Sequence, residues 1–175
     1  MQAIYDRAKR IRVAAFDVDG VLTDGALHYA DSGEESKRFS VHDGHGLRML
    51  QASGVALAII TSRVSRCVEA RARNLGIEWL FQGADDKLAA FRELLARSGA
   101  APEACAFVGD DLVDLPVMRR CGLAATVPGA PMPLRRHAHW VCRSRGGEGA
   151  VREFAEVVLY AQGALGARVA EHADR

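Results

Sequence analysis

No apolar run in this chain is long enough to cross a bilayer as a helix. The best candidate, Val-Ala-Leu-Ala-Ile-Ile at 55–60, falls far short of the roughly 20 residues a spanning helix needs. A surplus of charge is missing too, since 23 Lys and Arg face 22 Asp and Glu. The whole-molecule field therefore gives no reason to expect a nucleic-acid or membrane partner. Aromatics make up only 6% of the residues. Between Asp114 and Glu148 there is no acid, and Arg119, Arg120, Arg135, Arg136, Arg143 and Arg145 make the stretch basic. Only Trp140 offers a stacking surface there, too little for a single-stranded nucleic-acid platform, so a solvated basic face is expected. Cys67, Cys105, Cys121 and Cys142 form no C-x-x-C pair and have no His at zinc-finger spacing. Reduced thiols are expected rather than disulfides or structural zinc. Residues 1–10 carry charges where a signal peptide needs an apolar stretch, and a cytoplasmic protein is expected.

What the chain does have is a core. Hydrophobic residues are 49% and charged residues 26% of its 175 positions, the balance of one soluble domain. Apolar runs at 12–16, 55–60, 78–81, 104–108, 123–127 and 139–142 read as strands. Between them, 46–52, 65–75, 87–98, 112–120 and 148–162 space apolar residues at helical period. The alternation predicts an α/β fold with a mostly parallel, Rossmann-like sheet flanked by helices. Gly54, Gly76, Gly99 and Gly122 follow four of the helical patterns, where a left-handed C-cap is expected. Residues 25–41 read as a β-hairpin inserted after the first strand. The single domain spans 1–175, with its core at about 11–162 and a frayed tail at 163–175. Trp79 and Phe81 read as core or interface residues on opposite faces of their strand, and His42, His45, His137 and His139 as pocket-lining or surface groups.

In an open parallel sheet, ligands bind beyond the carboxyl ends of the strands. The first strand is followed by Asp17-Val-Asp19-Gly20, the second run by Thr61-Ser62-Arg63, and the run at 104–108 by Gly109-Asp110-Asp111, with Asp114 beyond. Asp17 and Asp19 are two apart and face one way if the extended backbone persists. With Asp110 they would gather carboxylates that repel one another unless a cation sits among them. Oxygen ligands without His or Cys suit a hard ion, and Mg²⁺ is the usual one where carboxylates meet phosphate. Solvated turn acids and plain helix caps are the alternatives for each motif alone. Lys87 opens a helix, where its charge opposes the macrodipole, so an anionic partner explains it better. Thr61 and Ser62 offer hydroxyls and N–H groups ahead of a helix, a seat for phosphate or ordinary caps.

Taken in order, Asp17-x-Asp19-Gly20, Thr61-Ser62-Arg63, Lys87 and Gly109-Asp110-Asp111-x-x-Asp114 resemble the four motifs of the haloacid dehalogenase superfamily of phosphohydrolases. The resemblance covers about 11–162. The hairpin in place of a cap domain, the stretch 37–46, and Gly146-Gly147-Glu148-Gly149 resemble its capless sugar-acid phosphatases. This implies Mg²⁺-dependent hydrolysis of a phosphorylated acidic sugar through an aspartyl phosphate. The implied substrate is 3-deoxy-D-manno-octulosonate 8-phosphate, a lipopolysaccharide precursor. A nine-carbon sialic-acid-type 9-phosphate is the alternative, and a non-catalytic oligomerisation module a further one. By the same resemblance Asp17 is the nucleophile and Asp19 the acid and base. Asp17, the Asp19 carbonyl and Asp110 hold Mg²⁺, with Asp111 supporting them. Thr61, Ser62 and Lys87 bind phosphate, and Arg63, Gly146 and Gly147 contact substrate. A homotetramer built around the hairpins is implied as well, in which the flexible 146–149 segment reaches a neighbouring site. Two positions depart from the family pattern: Ser62 replaces a glycine, and Glu148 replaces an arginine.

Overall fold

Along the chain run α1 (Gln2–Ala8), β1 (Val13–Phe16), β2 (His28–Tyr29), β3 (Glu35–Ser36), α2 (Val41–Ala52), β4 (Ala56–Ile60), α3 (Arg66–Leu75) and β5 (Trp79–Phe81). There follow α4 (Lys87–Ser98), β6 (Cys105–Gly109), α5 (Leu115–Met118), β7 (Leu123–Thr126), α6 (Met132–Arg135), β8 (Trp140–Val141), α7 (Ala150–Ala161) and α8 (Leu165–Ala173). The computed structural model describes residues 1–173. Six strands form one parallel sheet in the order β5-β4-β1-β6-β7-β8. Each of the six apolar runs therefore becomes a strand. β1 lies inside the sheet and is buried on both faces, which is why its sequence is continuously apolar rather than alternating.

The strand period of two splits the core. Ala14 and Phe16 face one cluster with Leu47, Leu50, Val68, Phe154 and Val158 of α2, α3 and α7. Val13 and Ala15 face the other, with Phe91, Leu94, Met118 and Leu134 of α4, α5 and α6. Trp79 and Phe81 both pack on that second cluster. They share a face rather than lying on opposite ones, because residues i and i+2 of a strand point the same way.

Helix boundaries follow their caps. Asp86 accepts from the Ala89 N–H at the start of α4, and Gly76 and Gly99 close α3 and α4 in the left-handed conformation. α2 begins at Val41, earlier than its apolar pattern, with Ser40 accepting from the Asp43 N–H. Gly44 and Gly46 break that pattern. A Cβ on Gly46 would stand 3.1 Å from the Arg152 backbone, so the small residue serves the close approach of α2 to α7. The segment 112–120 is a 3₁₀ turn at Leu112–Asp114 followed by α5, not one helix. Gly122 is not a left-handed cap either. Its N–H donates to the Pro102 and Cys105 carbonyls, and a Cβ there would lie 2.0 Å from the Glu103 carbonyl oxygen.

The hairpin forms but is short. His28 pairs with Ser36 and Tyr29 with Glu35 in a two-stranded antiparallel sheet apart from the main one. The tail expected to fray is helical over Leu165–Ala173, and the last two positions lie outside the described residues.

Asp43 in α2 is buried, and its carboxylate accepts the Gly149 N–H at 3.3 Å and the Arg152 N–H at 2.8 Å. It thereby satisfies N-terminal donors of α7 from another helix. Burial pushes its pKa up, which marks what those N–H groups must offset. Asp43→Ala leaves these donors unsatisfied and should cost about 1–3 kcal/mol, measured by chemical denaturation.

Candidate active site

In this sheet the chain leaves β1 in one direction through β4 and β5, then returns on the other side through β6, β7 and β8. A crevice opens where the direction reverses, beyond the carboxyl ends of β1 and β6. Asp17 follows β1 directly, Asp110 follows β6, Thr61 follows β4, and Lys87 is the first residue of α4. They meet around a cavity of about 230 Å³ lined by Asp17, Asp19, Gly25, Thr61, Ser62, Arg63, Lys87, Asp110, Asp111 and Val113.

Lys87 is the buried centre. Its Nζ lies 2.7 Å from Asp17 Oδ2 and 2.6 Å from Asp114 Oδ1, with 1% of its side chain exposed. Burial acts to lower its pKa, but the two carboxylates outweigh it, and the net shift is upward. The ammonium's awkward place at a helix N-terminus is thus explained by these acids. Asp114 is fully buried, and its other oxygen accepts the Asp110 and Asp111 N–H groups at 2.9 and 3.1 Å. A Cβ on Gly109 would lie 2.5 Å from the Asp114 side chain, so glycine is required there. The Asp111 carboxylate caps the 3₁₀ turn by accepting from Leu112 N–H at 2.7 Å. The acid that braces the site is Asp114.

Asp17, Asp110 and Asp114 bring carboxylate oxygens within 4.8 Å of one another. Burial, then Asp114, pushes Asp17 up to about 6 against the pull of Lys87. Burial, then Asp17, pushes Asp110 up to about 7. Asp114 spends its oxygens on Lys87 and on backbone N–H groups, whereas no described residue donates to the Asp110 carboxylate. That carboxylate lies against Gly20, where a Cβ would fall 2.0 Å from Oδ2. Two carboxylates that burial and neighbouring acids disfavour as anions, with no nitrogen or sulfur ligand beside them, fit a hard divalent cation.

Asp19 turns away from this cluster. Lys37 Nζ stands 2.5 Å from its Oδ1, and Arg63 Nε lies 3.6 Å from its Oδ2. Arg63 also donates to Glu35 and to the Tyr29 hydroxyl, both at 2.8 Å. Glu35 accepts from Ser65 Oγ at 2.6 Å and lies 3.3 Å from Lys37. The Ser65 hydrogen bond is the largest influence holding its carboxyl below the usual range. Ser62 donates to the Ala84 carbonyl at 3.2 Å, and α3 takes Ser65 as its N-cap, so neither Thr61 nor Ser62 is a helix cap.

Gly146 and Gly147 pack backbone to backbone on their own chain rather than forming a free segment. The Gly147 N–H donates to the Val21 carbonyl, and a Cβ on Gly146 would fall 1.8 Å from the Gly20 carbonyl oxygen. Gly146 lines an adjoining cavity of about 450 Å³ that also borders Asp110 and Gly25. The anion at Glu148 is met by Arg38 at 3.3 Å, which also pairs with Asp24 at 2.9 Å.

A haloacid dehalogenase-like hydrolase model matches residues 44–122. The 3-deoxy-D-manno-octulosonate 8-phosphate phosphatase KdsC of Yersinia pestis is 47% identical over 162 residues, 93% of this chain and 87% of the relative. The chain belongs to this family of haloacid dehalogenase-like phosphatases. Among solved structures, a probable YrbI family phosphatase from Pseudomonas syringae aligns with a TM-score of 0.97 at 50% identity, covering 98% of both chains. The 3-deoxy-D-manno-octulosonate 8-phosphate phosphatase of Moraxella catarrhalis, solved with magnesium, phosphate and the KDO molecule, aligns with a TM-score of 0.97 at 44% identity over 98% of this chain and 99% of that one.

Within this phosphatase, three residues at the site escaped assignment from sequence: Asp114, Glu35 and Lys37. Asp114 stood in the fourth motif with no role, although its spacing from Asp110 by one helical turn was the available signal. Lys37 opens the stretch 37–46 that carries the family resemblance but had no role there, and Glu35 had no signal, because only the fold of the hairpin brings Lys37 to Asp19 and Glu35 to Lys37 and Arg63. Asp114→Ala leaves Lys87 with Asp17 as its remaining carboxylate partner and strands two N–H groups. It should cost about 1–3 kcal/mol, read as a fall in denaturation midpoint.

Proposed function

We propose that this chain hydrolyses 3-deoxy-D-manno-octulosonate 8-phosphate to the free sugar acid and phosphate, using Mg²⁺. The observation that carries the reading is the Asp17–Lys87–Asp114 ion-pair centre beside the donor-free Asp110 carboxylate. Kinship with the KdsC phosphatases supports the substrate. In the proposed chemistry Asp17 attacks phosphorus and the bond to the sugar oxygen breaks, leaving an aspartyl phosphate. Asp19 gives a proton to the departing alcohol, then takes one from the water that cleaves the acyl phosphate. Lys87, Thr61 and Ser62 hold the phosphoryl oxygens at the cavity floor. Asp17, Asp110 and the Asp19 carbonyl would hold Mg²⁺, with Asp111 at its margin. When bound, the ion neutralises phosphoryl charge. Arg63, 41% exposed at its side chain, is the cation facing the sugar carboxylate, and Gly146 lines the adjoining cavity while Gly147 holds it in place through the Val21 carbonyl for contact with substrate.

The reading extends to assembly and location. Leu27 and Tyr29 are 50% and 58% exposed on a hairpin whose edges pair with nothing in the main sheet, which supports a homotetramer built around the hairpins. The four free cysteines support a reducing, cytoplasmic setting.

Asp17→Asn keeps the shape and removes the nucleophile. Its kcat on the sugar phosphate should fall at least about a thousandfold, with an unchanged circular dichroism spectrum. Near-normal turnover would sink the mechanism. Wild-type activity should vanish in excess chelator and return with Mg²⁺. Light scattering should give four times the chain mass, and an active monomer would refute the tetramer.

A further inference from the structure

Lys37 follows β3 of the hairpin directly. Its side chain is 1% exposed, and among the described residues two carboxylates approach its charge: Asp19 at 2.5 Å and Glu35 at 3.3 Å. Burying an ion pair costs desolvation that an apolar pair would not, so the pairing is not explained by stability alone. Docking the hairpin does not require it. Glu35 already fastens β3 to the core through Ser65 at 2.6 Å and Arg63 at 2.8 Å, and Cys67 Sγ donates to the Glu35 carbonyl at 3.4 Å. Among the described residues, Lys37 alone grips Oδ1 of Asp19.

We propose that Lys37 is the positioning residue for Asp19. Together with Arg63 beside Oδ2, it fixes both carboxyl oxygens on the hairpin side of the cavity, out of the Asp17–Asp110 cluster, where the leaving alcohol departs. The inference rests on the acid and base role given to Asp19 above. It makes the hairpin a part of the catalytic apparatus as well as a cover, because the insertion delivers the group that aims the proton donor. Misplacing a reacting group by an ångström can cost about a hundredfold in rate, and a positioned acid contributes about 10²–10⁴.

The proton balance supplies the test. As the Asp17 oxygen bonds to phosphorus, the bond from phosphorus to the ester oxygen breaks with its electrons left on that oxygen. A sugar alkoxide must then take a proton from Asp19, whereas 4-nitrophenolate is stable without one. The parameter kcat/KM reports the steps up to that departure and leaves out the later hydrolysis common to both esters. Lys37→Met preserves the volume. Its kcat/KM should fall about ten- to a hundredfold on 3-deoxy-D-manno-octulosonate 8-phosphate and less than about threefold on 4-nitrophenyl phosphate. Lys37→Arg should recover a good part of the loss. Asp19→Asn, run alongside, should show the same dependence on leaving group. Equal losses on the two esters in Lys37→Met, with Asp19→Asn still selective, would overturn the role of Lys37 alone. Equal losses in Asp19→Asn as well would overturn the acid and base assignment beneath it. Should Lys37→Met fail to fold, Lys37→Gln decides: a loss confined to the sugar phosphate supports the positioning role, and an equal loss on both esters or none on either refutes it.

Discussion

The buried ammonium of Lys87, held between Asp17 and Asp114, is the interaction on which the rest of the site depends. Removing Lys87 would leave two carboxylates facing each other with no cation between them. The pairing also joins elements from distant parts of the chain: the end of β1, the start of α4 and the turn after β6. Asp114 passes the constraint on by taking the N–H groups of Asp110 and Asp111. It thereby sets the backbone that presents Asp110 to the cavity. A helix would ordinarily reject a lysine at its first position. Here the acids outweigh the dipole, and the anomaly becomes the anchor of the cavity.

Around that anchor the molecule divides its carboxylates by their neighbours. Asp17 is pushed up by burial and by Asp114, and Asp110 by burial and by Asp17, a strain that a bound cation would relieve. Asp19 sits two residues from Asp17 but is turned toward Lys37 and Arg63, so its surroundings are cationic. Such separation of environments is how two acids of one motif come to hold different roles. Glycine makes the separation possible. Gly20 lets the Asp110 carboxylate pass and Gly146 lets a second backbone cross the same loop, each at a point where a Cβ would collide. The Gly-Gly pair ahead of α7 therefore packs as a clasp on the loop after β1. The charge reversal at Glu148 is absorbed locally by Arg38.

Much of this was legible along the chain. Continuous apolar runs announced strands buried on both faces, and helical periodicity with Gly76 and Gly99 at its limits announced α3 and α4, whereas the Ser40 and Asp86 caps came only with the structure. A strand-end census found Asp17, Asp19, Thr61, Ser62, Lys87 and Asp110, because in a parallel sheet the carboxyl ends of strands converge whatever the intervening sequence. Local order failed where two distant backbones touch. Gly44 and Gly46 concealed the first turn of α2, and Gly122 imitated a cap when its real constraint was the Glu103 carbonyl.

The sequence by itself determined the class of fold, the order of its strands and helices along the chain, and the set of acids, hydroxyls and lysine at the strand ends. These depend on short-range periodicity and on motifs contiguous in the chain. Only the tertiary structure decided which charges meet. That Lys87 bridges Asp17 and Asp114, that Lys37 holds Asp19, that Glu35 secures Arg63 and that Asp43 caps a helix opening at Ala150 are matters of distances between residues far apart in sequence. Coulombic and hydrogen-bond energies are set by ångströms in space and by burial, and neither quantity is written in residue order.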